Sequence, residues 1–62
     1  MSTSRAELGS IATQLRELAD RVSRAGEDLD RSPTEDAAAA LYEADRALRT
    51  AVRSVDRAMG LV

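Results

Sequence analysis

Leu8-Gly9-Ser10-Ile11-Ala12-Thr13-Gln14-Leu15-Arg16-Glu17-Leu18-Ala19-Asp20-Arg21-Val22 repeats its apolar pattern every seven residues, and the rest of the chain keeps the same step. Leu8, Leu15, Val22 and Leu29 recur in phase, with Ile11, Leu18 and Ala25 between them. After a single proline, Leu41, Leu48, Val55 and Val62 resume the beat, interleaved with Ala37, Ala44, Ala51 and Ala58. A seven-residue recurrence wraps one stripe of an α-helix. Two such stripes joined by one turn predict an all-α, antiparallel two-helix hairpin, with helix 1 at about 4–30 and helix 2 at about 33–59. The 62 residues make one helical-hairpin domain, 1–62.

The helix starts are written in the sequence. Ser4-Arg5-Ala6-Glu7 fits a capping box, in which a hydroxyl and a carboxylate satisfy orphan amide donors. Ser32-Pro33-Thr34-Glu35 fits it again, with proline at the first helical position. Asp36 near one end and Arg53 and Arg57 near the other suit the helix dipole. Gly60 reads as a left-handed stop, with Leu61 folding back on the last turn. Gly26 costs only about 1 kcal/mol inside a helix, and Leu29 beyond it keeps the phase, so helix 1 is expected to run through it.

Folding the chain about Arg31 and Ser32 sets Val22 beside Leu41, Leu15 beside Leu48, and Leu8 beside Val55. One flank of that seam carries Glu7, Gln14, Arg21 and Asp28, which suit water. The other carries Ala12, Ala19 and Gly26 with Ala38, Asp45, Val52 and Met59, small and apolar except for one aspartate. An isolated pair of helices sustains a core poorly, and no cysteine is present to staple it. The expectation is that this second flank is a dimer interface, closing two hairpins into a four-helix bundle. Asp45 then either pairs with Arg49 one turn on or meets an arginine of the second copy and fixes the register.

Chemistry is defined largely by exclusion. Histidine and cysteine are absent, which removes the usual zinc ligands, nucleophilic triads and Glu-x-x-His di-iron pairs. Asp28-Leu29-Asp30 opens like a calcium loop, but Pro33 stands where the turn glycine belongs and Ala39 where the closing glutamate belongs. The three glycines are scattered, so no phosphate-cradling loop is written. No catalytic residue, cofactor-binding residue or metal ligand is assigned, and no cofactor is expected. The turn Arg31-Ser32-Pro33 and the short Tyr42–Asp45 spacing also exclude the Trp-x-Gly turn and Tyr-x-x-x-Asp/Glu signal of hairpins exported by type VII secretion.

Two features could serve a partner. Arg46, Arg49, Arg53 and Arg57 follow helical spacing on the outer side of helix 2. Tyr42, the one aromatic, falls near the turn, where it can cover the loop end or present a contact. A net charge of -2 and one aromatic argue against nucleic acid, and Glu17–Arg21, Asp20–Arg24 and Glu27–Arg31 are spaced to neutralise one another. No apolar run is long enough for a membrane span and the first residues carry no secretory h-region, so a cytoplasmic location is expected. The functional expectation is a non-enzymatic, homodimeric interaction or regulatory protein that uses its outer faces as adaptor or scaffold for another protein. The alternatives are a nucleic-acid-associated regulator using the arginine stripe, or a small structural subunit of a larger hetero-complex.

Overall fold

The computed structural model describes residues 3–62, and those residues form a rod of two antiparallel helices, α1 (Arg5–Leu29) and α2 (Glu35–Gly60). The rod measures 47 × 16 × 13 Å. Helix 1 passes through Gly26 without a break, as the phase of Leu29 requires. The hydroxyl half of the expected capping box forms at its start: the Glu7 amide donates to Ser4 Oγ at 3.1 Å, and Ser4 is in extended conformation.

The start of α2 differs from expectation. Pro33 lies outside the helix, the Ser32–Pro33 peptide is cis, and Thr34 is the N-cap residue. Its hydroxyl does not cap α2. It turns back to the carbonyls of Leu29 at 2.7 Å and Arg31 at 3.0 Å. The Thr34 amide reaches the Arg31 carbonyl at 2.7 Å. The last carbonyls of α1 are orphans that need donors, and Thr34 supplies them. The helix therefore opens two residues later than the proline suggested, and Glu35 and Asp36 still occupy its positive end.

The far end of α2 is also corrected. Gly60 is helical, and among the described residues none has positive φ. A bond from the Leu61 amide to the Ala58 carbonyl at 3.0 Å closes the last turn in its right-handed form, so no left-handed residue is needed. Leu61 is 81% exposed and does not fold back.

The largest correction concerns the seam itself. Ala12, Ala19 and Ala38 are completely excluded from solvent, and Gly26 and Val52 are buried with them. The flank assigned to a dimer interface lies between the helices of one hairpin. It is not available to a second copy. The physical reason is the size of these side chains: where two helices lie closest, only hydrogen or methyl groups fit along the line of contact. Larger residues straddle that line. Leu8, Leu15, Val22 and Leu29, with Leu41, Leu48 and Val55, are only half-buried along one edge, and Leu18 is 43% exposed. No large side chain is fully buried among the described residues.

Candidate functional site

The alanine seam divides the surface into two unlike edges. On one side the helical positions next to Ala12, Ala19 and Gly26 hold Gly9, Arg16, Asp20 and Ser23, facing Tyr42, Asp45, Arg49 and Asp56 of α2. This edge is laced together. Arg16 meets Asp56 at 2.7 Å. Arg49 bridges the helices, with Nη2 at 3.1 Å from Asp20 and Nε at 3.0 Å from Asp45. Those two carboxylates hold the guanidinium pKa above its ordinary value. At the open end, Arg5 donates to the Val62 carbonyl.

Asp45 therefore has its partner within the chain, and its half-buried carboxylate leaves no charge waiting for a second copy. Asp20 is drawn across to Arg49, and the expected Glu17–Arg21, Asp20–Arg24 and Glu27–Arg31 pairs do not form. Met59, also assigned to the dimer interface, is half-buried with its sulfur 3.6 Å from where a Cβ on Gly9 would sit.

The arginine stripe is not uniform. Arg49 is committed to two carboxylates, and Arg53 donates to Thr50 Oγ1 at 3.2 Å on its own helix. Asp56 is bound to Arg16 across the seam. Arg46 and Arg57 remain exposed.

Tyr42 closes the turn end of this edge. Its ring lies over Gly26, so near that an added Cβ would stand 2.8 Å from the ring carbon Cε1. Its hydroxyl donates to Asp30 at 3.2 Å. Desolvation and the neighbouring Asp30 carboxylate push the phenol pKa above its ordinary value. The ring thus covers the loop end, lying over Gly26. The dependence of Gly26 on Tyr42 was the link that sequence reading missed. A glycine in the middle of a helix, carrying a cost of about 1 kcal/mol, was its signal.

The opposite edge is aliphatic from end to end. Leu8, Leu15 and Val22 with Leu41, Leu48 and Val55 flank the seam, and Ile11, Leu18, Ala44, Ala51 and Ala58 extend the face outward. All are half-buried or exposed. No charged residue interrupts this face, and it is the one feature of the described residues whose cover the hairpin does not itself provide.

No group of three or more carboxylates, histidines or cysteines among the described residues is placed to hold a metal ion. No helix is long and apolar enough to cross a membrane. Comparison with protein-family models, with curated proteins and with solved structures returns no match.

Proposed function

We propose that the chain is a non-enzymatic interaction module that pairs with a second copy of itself through the aliphatic face, making a four-helix bundle whose polar edges are offered to another protein. The observation that carries this reading is the exposure of the large side chains. A hairpin that hides Ala12, Ala19 and Ala38 and leaves its leucines half in water has its best hydrophobic material still to bury.

Areas support it. A compact protein of 6.7 kDa is expected to expose roughly 3,900 Å². The hairpin exposes 4561 Å². A face spanning most of a 47 × 16 Å rod offers a footprint of roughly 750 Å², close to the ~800 Å² that each partner contributes to a standard interface. The face carries no charge, so a second copy meets it without like-charge repulsion, and a self-complementary patch closes most simply under two-fold symmetry. The arginine stripe is a weaker basis for a nucleic-acid partner, because Arg49 is already neutralised by Asp20 and Asp45.

The test is the mass of the purified chain in solution. Twice 6.7 kDa at micromolar concentration supports the reading, and a single-chain mass over the whole accessible range overturns it.

A further inference from the structure

Two hairpins can close face to face in two ways, and the sizes of the side chains on the aliphatic face distinguish them. A two-fold axis along the rod sets both turns at the same end and lays α1 of each copy over α2 of the other. A two-fold axis across the rod sets the turns at opposite ends and stacks like helix on like. Resting on the homodimer reading above, we propose the first arrangement: turns together, α1 over the partner's α2.

Side-chain size is the argument. The outer part of the face is a ridge of Ile11 and Leu18 on α1 and a furrow of Ala37, Ala44 and Ala51 on α2. Laying each ridge in the other copy's furrow sets Ile11 and Leu18 against alanine methyls, with Ala25 alone meeting another small residue, and symmetry gives both new helix pairs the same spacing. The crosswise alternative stacks leucine on leucine along one side and methyl on methyl along the other. Its two helix spacings cannot match, and one pair leaves gaps or strain.

The chain has no cysteine, so Ser32→Cys in the exposed turn provides one labelling site per copy. Pulsed electron paramagnetic resonance between two nitroxide labels then reads the separation of the turns. The expected separation is within roughly 25 Å, two or three helix spacings. A dimeric mass with labels near the 47 Å rod length overturns the same-end arrangement and leaves the homodimer standing. A single-chain mass overturns the homodimer reading itself.

Discussion

The two edges of the seam are built from the same seven-residue repeat, yet one is finished and the other is not. Along the polar edge, Arg16–Asp56, the Asp20–Arg49–Asp45 bridge and Tyr42 over Gly26 tie α1 to α2 within one chain. Along the aliphatic edge, leucines and valines of both helices stand half-exposed with only each other beside them. The difference teaches that the hairpin spends its polar groups on its own closure and keeps its large apolar groups on the outside. The ties within the hairpin and the face proposed for association thus lie on opposite sides of one alanine line.

Loading a charge onto the unfinished edge should break the comparison most severely. Leu18→Asp places a carboxylate in the proposed contact twice over, and two unpaired buried charges are expected to weaken dimerisation roughly hundredfold or more. Sedimentation at micromolar concentration checks it, and helix content should fall with the dimer.

Next in size is the seam between the edges. Ala19→Leu forces bulk into a completely excluded position and should lower stability by about 1–3 kcal/mol, seen as a lower urea midpoint. Ala47→Leu, at an exposed alanine of α2, should leave that midpoint nearly unchanged, which separates crowding from composition.

The polar edge yields a sharper, smaller contrast at Gly26. In an open helix Gly→Ala gains about 1 kcal/mol. Here the new methyl would meet the Tyr42 ring, so Gly26→Ala alone should gain little or nothing. The same substitution in a Tyr42→Ala background should show the full gain in thermal midpoint.

Tyr42 also gives the edge a pH signature. Its phenol pKa is raised above the ordinary 10.0, so the unfolded chain loses its proton first. The stability it contributes is complete below pH 10.0 and declines as pH rises beyond it. Ultraviolet titration of the phenolate should give a later midpoint for the folded chain than for the chain in denaturant. Smallest of all is Asp56→Asn, which removes a half-exposed ion pair and should change stability by less than ~1 kcal/mol.

Much of this was legible in the residues. The repeat of Leu8, Leu15, Val22 and Leu29 and its echo in α2 define two helices, and Ser4 marks the first start as it stands in the structure. The position of the seam was misjudged because hydrophobicity was taken as the measure of depth. Hydrophobicity ranks leucine above alanine, but the line of closest approach between two helices selects for smallness. The series Ala12, Ala19, Gly26 carries that signal in plain view, one step round the helix from the leucines. Cross-helix links were harder to see. Arg16–Asp56 and Tyr42–Asp30 depend on the offset between helices, and that offset is set by packing and not by either helix alone. Thr34 was hidden for a different reason: its hydroxyl serves the end of α1, a demand invisible from the sequence of α2.

The most direct test of the central claim is light scattering combined with circular dichroism on one dilution series. If the aliphatic edge is closed by a second copy, the mass should be twice 6.7 kDa at micromolar concentration, and mass and helix content should fall together on dilution. A chain that keeps its full helix content as a single 6.7 kDa species throughout would contradict it.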